Sequence, residues 1–387
     1  MAWQGSFKGR SKAGIEGVEM IKVKVRRHKE VASSVLVNEL PPVPVAEISL
    51  QGAQKGTTPV SNMISSFVLA DRSKKEATRA AFGSALLELM NVNNNIVVLC
   101  ADLEESLNVT EIHKKYPARF FEMGVAEQNM VTTAVGLSTT GLVPWATTFG
   151  AFVPFRTLDQ IRINLGYGKA NVKLASSHCG LLTGEDGATH QPLEDIAVLR
   201  PIPNMTVVVP CDATETKKAV IVLSNLVGPS YLRLSRAKTL VLTTADAPFE
   251  IGKALQLKDG SDVTLIACGS MVSKALEASE SLEKEGVNAR VLNIHTIKPL
   301  DILAIIKAAR ETGCIVVAEE HQLHGGLGGA VAETLSTKFP VPMEQVAVKD
   351  SFGESGEGEA LMVKYGLTPQ AILEAARRAI KRKNKEF

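Results

Sequence analysis

From Lys75 onward, short apolar runs rich in Val, Ile and Leu alternate with longer amphipathic stretches, and this alternation limits the fold more than any other feature. NIVVLCAD, VPWATTF, VKLASS, MTVVVPCD and PSYLRLS read as buried strands, and DVTLIACGS, ARVLNIHT, GCIVVAEEH and QVAVKDSF form a later set. Helical patterns such as ATRAAFGSALLELM and VSKALEASESLEKEG lie between them. Strands apolar along their length and joined through helices predict parallel sheets covered on both faces, an α/β fold class. The turn-rich stretch PFEIGKALQLKDGSD is read as the boundary between two consecutive parallel-sheet α/β domains, over 75–245 and 250–383.

Residues 1–74 read as an irregular N-terminal extension or linker. Basic residues cluster at Lys8, Arg10, Lys12, Lys22, Lys24, Arg26, Arg27 and Lys29, and Pro41, Pro42 and Pro44 follow. A transit peptide is the weaker alternative, because Glu16 and Glu19 interrupt the basic run and no secretory apolar core is present. Gly52 to Ser61 reads as a loop, and the final ARRAIKRKNKEF as a solvated basic helix end.

Composition then narrows the function. The 387 residues are 45% hydrophobic and 22% charged, enough for a sizeable core. Forty-three basic against 41 acidic residues leave a net charge of +2, which argues against a general nucleic-acid binder. No run approaches the roughly 20 apolar residues of a membrane span. Cys100, Cys179, Cys211, Cys268 and Cys314 are scattered and never spaced as CxxC, so a disulfide framework or zinc ribbon is not expected and a reducing cytoplasm is.

Three segments place polar residues at strand ends, where α/β sheets collect ligands. In FFEMGVAEQNM a strand ends near Met123, turns at Gly124 and enters a helix carrying Glu127, which by itself could be a simple helix-start acid. In TTFGAFVPFRTLDQIR, Phe149, Phe152 and Phe155 recur every three residues; on a helix they would share one face, as core or as a shelf for a flat ligand. In SSHCGLLTGEDGATHQPLED, His178, His190, Glu185 and Asp186 crowd among glycines, a composition suited to a hydroxylated substrate. A metal is the weaker reading there, since HxxxH and CxxC spacings are absent. GGLGG after His321 and His324 is a weak phosphate-loop signal that a tight strand–helix turn explains equally well.

GVAEQNM, TTFGAFVPF, GEDGATHQPLED and LRLSR, in that order, resemble the pyrimidine-binding domain of transketolases, and Lys75 to about Lys383 resembles that domain followed by the transketolase C-terminal domain. No GDG magnesium motif occurs, so the chain resembles the C-terminal subunit of a split transketolase. Ala126 and Gln128 stand where long-chain transketolases commonly carry Arg and His, a variation that resembles split transketolases and deoxyxylulose-phosphate synthases and leaves substrate identity open. The resemblance implies thiamine diphosphate as cofactor, with magnesium held by a diphosphate-binding partner subunit in an α2β2 assembly. It implies that Glu127 activates the pyrimidine, that Phe149, Phe152 and Phe155 wall it, and that Asp102 lies near the cofactor. Arg79, Ser106, His178 and Arg236 would hold a sugar phosphate, Asp186 would read a hydroxyl, and His190 would stand near the reacting carbons. The implied reaction moves a two-carbon ketol unit between sugar phosphates. The rivals are a 2-oxoacid dehydrogenase beta subunit, a deoxyxylulose-phosphate synthase, and a degenerate paralogue that only binds or regulates a transketolase.

Overall fold

The computed structural model describes residues 68–70 and 72–384. The basic and proline-rich segments of the N-terminal extension, and the loop expected at Gly52 to Ser61, lie outside the described residues.

Fourteen strands occur among the described residues. They are β1 (Lys75–Ala77), β2 (Ile96–Cys100), β3 (Phe120–Glu122), β4 (Val143–Phe149), β5 (Lys173–Ser177), β6 (Thr206–Val208) and β7 (Ser230–Arg233). Then follow β8 (Lys238–Leu240), β9 (Leu255–Lys258), β10 (Val263–Ala267), β11 (Ala289–Asn293), β12 (Thr296–Lys298), β13 (Ile315–Gln322) and β14 (Met343–Val348). A seven-stranded sheet runs β12-β6-β7-β5-β4-β2-β3, and a five-stranded sheet runs β14-β13-β10-β11-β9. Both are parallel except at one edge, where β12 pairs antiparallel with β6 and β9 antiparallel with β11. The α/β reading therefore holds, with two sheets that are mainly parallel rather than wholly so.

β2, β5, β10 and β11 are buried at every position, and β2 (IVVLC) and β10 (VTLIA) accordingly read as unbroken apolar or β-branched runs. The antiparallel edges left weaker traces. β9 is LQLK, inside the stretch expected to be a boundary, and it buries only alternate residues. β12 is three residues long and carries chain from the second half back to the first sheet. β1 pairs antiparallel with β8 as a separate ribbon, and Leu69 bridges Thr243 just before it.

Local chemistry sets the helix ends. Asp212 accepts from the Glu215 backbone N–H, and Thr368 from that of Ala371 with Pro369 at the first helical position. Helix Ile302–Thr312 opens on Asp301 and closes on left-handed Gly313. One apolar cluster joins Val97, Leu99 and Leu174 of the first sheet to Ile266, Leu292 and Val317 of the second, so the two halves share core. Each such fully buried aliphatic side chain contributes about 1.5–3 kcal/mol.

Candidate active site

The carboxyl ends of β3, β4 and β5 bring most of the expected residues into one region. β3 ends at Glu122, the chain turns at Gly124 with φ of +64°, and helix Glu127–Ser138 begins on Glu127. That turn needs the left-handed backbone that glycine adopts without cost. Glu122 stabilises it, accepting from the backbone N–H groups of Asp102 (2.7 Å) and Gly124 (2.8 Å).

Glu127 is only 6% exposed. Its Oε1 accepts from Arg156 at 2.6 Å, and the Arg156 guanidinium lies 3.9 Å over the Phe152 ring. A carboxylate at a helix start is favoured by the backbone dipoles, and the arginine compensates its burial. Gln128 Nε2 donates to the Arg156 carbonyl, tying the helix to the same turn.

The three phenylalanines do not share a helix face. Phe149 ends β4, Phe152 precedes the single helical turn Val153–Arg156, and Phe155 within that turn is 41% exposed. A spacing of three gives a stripe only where the backbone is helical throughout, and here it changes from strand to turn. Phe149 and Phe152 do meet, at 5.7 Å between centroids. Phe149 stacks on His178 at 3.8 Å, and the edge of His190 meets Phe152 at 5.4 Å.

His178 follows β5 with φ of +56°, and its Nδ1 lies 2.7 Å from Ser177 Oγ. Burial, with Arg79, Arg236 and His190 nearby, pushes its pKa down to about 3, so the ring is neutral at ordinary pH. Burial also lowers Arg79, with Arg236 adding to the effect and Asp186 opposing it. Arg79 and Arg236 thus act electrostatically on His178, and Arg236 and Asp186 on Arg79, so these groups are neighbours. Arg79 donates to the Ser106 carbonyl. Arg236 Nη1 donates to the Thr183 carbonyl (2.6 Å) and to Glu185 Oε2 (3.0 Å). Asp102 and Ser106 line an acidic cleft of about 420 Å³ together with Glu104, Glu105 and Glu122.

The loop from Gly180 to Pro192 is held from below. Gln191 Nε2 donates to the carbonyls of Gly184 and Glu354, both at 2.9 Å. Asp195, at the end of the same motif, is fully buried; its Oδ2 accepts from Arg233 Nε and the Tyr231 hydroxyl, both at 2.7 Å. Asp195→Ala should cost about 3–5 kcal/mol, because it strands the Arg233 charge in the interior. Denaturant unfolding measures this, and a loss below about 1 kcal/mol would show that the pair is not structural.

GGLGG is not an open phosphate loop. Glu319 accepts from the backbone N–H groups of Leu327 and Gly328, both at 2.7 Å, so the start of helix Leu327–Lys338 is filled by the chain's own carboxylate. Sequence reading missed Glu122, Arg156 and Gln191. Gln191 sat inside a recognised motif, whereas the other two carried no periodic signal.

The buried carboxylate beside aromatic rings suits an aminopyrimidine, which offers a flat face and polar ring atoms. Comparison with known proteins decides the family. Residues 74–240 match the family "Transketolase, pyrimidine binding domain", and residues 252–372 match "Transketolase, C-terminal domain". The chain belongs to the transketolase family. It is 39% identical over 306 residues to the 6-deoxy-6-sulfo-D-fructose transketolase subunit SqwH of Clostridium sp. (strain MSTE9), covering 79% of this chain and 95% of that one. It is 39% identical over 307 residues to an apulose-4-phosphate transketolase subunit of Phocaeicola vulgatus, covering 79% and 98%. A solved split gene transketolase, described as an inactive beta4 tetramer, superposes with a TM-score of 0.75 at 46% identity, covering 80% of this chain and 99% of that one. The transketolase of Leishmania mexicana superposes with a TM-score of 0.68 at 26% identity, covering 82% of this transketolase chain but 47% of the other. Among the described residues no helix is long and apolar enough to cross a membrane.

Proposed function

We propose that this chain is the C-terminal subunit of a two-chain transketolase that moves a two-carbon ketol unit from a ketose phosphate to an aldose phosphate. The observation that carries the reading is the buried Glu127 carboxylate, paired with Arg156, whose guanidinium covers the Phe152 ring of the Phe149–Phe152 pair. Thiamine diphosphate supplies, when bound, a carbanion and an electron sink. Glu127 shares a proton with the aminopyrimidine ring nitrogen, a task suited to a carboxyl group shielded from water. Phe149 and Phe152 fix the plane of the pyrimidine and exclude water, Phe155 extends that wall, and Asp102 lies near the cofactor.

Arg79 and Arg236 clamp the sugar phosphate, with neutral His178 and Ser106 completing the contact set. Asp186 reads a substrate hydroxyl and His190 stands near the reacting carbons. Pinning the phosphate end orients the other end for reaction. The division into 75–245 and 250–383 gives the first segment the chemistry and the second the support.

The magnesium ligands, the diphosphate site and further proton-moving groups belong to a partner subunit in a cytoplasmic α2β2 assembly. Exposed Val125, Phe155, Leu158, Ile163 and Tyr167 support a covering chain on this side, since such apolar surface is ordinarily buried at interfaces. Two relatives covered over 95% and 98% of their own length are themselves described as transketolase subunits, which agrees with a two-chain enzyme. So does the description of the 46% identical split chain as an inactive tetramer.

Arg236→Ala should cost about 2 kcal/mol or more in kcat/KM for phosphorylated sugars, as loss of a charge-assisted contact does. Hydroxypyruvate, which has no phosphate, should be affected far less. Equal losses on both donors would mean that Arg236 is structural and would remove the phosphate clamp from this reading.

A further inference from the structure

We propose that Glu320 is a positioning residue through which the second half of the chain sets the loop carrying Asp186 and His190. It stands on β13, where Val316, Val317 and Ala318 are apolar and buried, and it is itself only 4% exposed. A carboxyl group in such a place is costly to bury unless its oxygens are satisfied. Both are. Oε1 accepts from the backbone N–H of Leu182 at 2.8 Å, and Oε2 accepts from the Ser270 hydroxyl at 2.6 Å.

Its neighbour Glu319 is already accounted for by helix Leu327–Lys338, and alternation along the strand turns Glu320 the other way. The loop is shaped around the carboxyl group. Gly180 has φ of +85°, and a Cβ there would overlap Glu320. Leu181 and Leu182 then enter the apolar cluster of the second half with Leu265 and Met271. Further along, Gln191 bonds the Glu354 carbonyl, and Arg233 Nη2 bonds the carbonyls of Pro192 (3.3 Å) and Glu320 (3.1 Å). The loop is thus pinned at both ends, while Asp186 stays exposed and His190 half-exposed between them. Displacing such groups by a fraction of an ångström weakens their action without removing them. The functional part of this inference rests on the reading of Asp186 and His190 as substrate residues.

Amide hydrogen exchange on the full-length chain, with steady-state kinetics and cofactor titration on the assembled two-subunit enzyme, tests it with Glu320→Ala, Glu320→Gln and Ser270→Ala. Glu320→Ala should speed exchange at Leu182 and its loop about tenfold or more, the effect of losing one hydrogen bond to a carboxyl group. The KM for a ketose phosphate should rise by a similar factor, while thiamine diphosphate affinity stays within about twofold. Glu320→Gln keeps an acceptor for Leu182 and should stay within about threefold of wild type in both readouts. If Glu320→Ala does not fold, Ser270→Ala, which removes one hold on the carboxyl group, should give the same pattern at smaller size. Unchanged loop exchange would overturn the proposal. Faster exchange with an unchanged KM would instead overturn the assignment of the loop to substrate, and the functional part of the inference with it.

Discussion

Glu127→Gln should fold as the wild-type chain does and lose turnover by about a hundredfold to ten-thousandfold, the range ascribed to a positioned acid or base. The amide matches the carboxylate in shape, and its oxygen can still accept from Arg156, which now bonds Oε1 at 2.6 Å. Helix Glu127–Ser138 keeps its buried Met130, Val131 and Ala134, so the fold has no reason to move. What an amide cannot do is share a proton with a ring nitrogen. Exchange of the thiazolium proton, followed by NMR in the assembled enzyme, reports that step apart from substrate binding. A rate near wild type would remove Glu127 from the role.

The strand cores were legible because runs such as IVVLC and VTLIA leave no position for solvent, and their short length and β-branched residues favour strands covered on both faces over buried helix. Edge strands were not. LQLK at β9 alternates like any half-exposed segment and sits among turn residues, and TIK at β12 is shorter than any period can report. The pairing of β12 with β6 depends on contacts distant in sequence, which no local pattern records.

The candidate site divides in the same way. The strand–turn–helix path through Gly124 to Glu127 followed from local residue choice, and so did the glycine-rich loop holding His190. The Phe149–Phe152–Phe155 spacing misled, because the backbone passes from β4 into a turn between the first ring and the second. The pairing of Arg156 with Glu127 spans 29 residues and that of Leu182 with Glu320 spans 138, and each becomes visible only when strands lie side by side. GGLGG was ambiguous although its partner is close in sequence. Whether a helix start is open to phosphate depends on Glu319, which is adjacent in space and only eight residues away from Leu327 in sequence.

The largest effect of all is expected from leaving the partner out. Thiamine diphosphate is held at two ends, and its diphosphate end requires magnesium with oxygen ligands. In the proposed site Glu127, Phe149 and Phe152 address the pyrimidine end alone, and among the described residues no group of three His, Cys, Asp or Glu side chains is placed to hold a metal ion. Stacking on two rings and one carboxylate contact give a weak hold without the charged end. The direct measurement is donor-ketose turnover by the purified chain, with thiamine diphosphate and magnesium in excess, before and after adding a diphosphate-binding subunit. No turnover is expected from the chain alone; activity and a hetero-oligomer should appear together on mixing. Robust turnover without a second polypeptide would contradict the two-chain account.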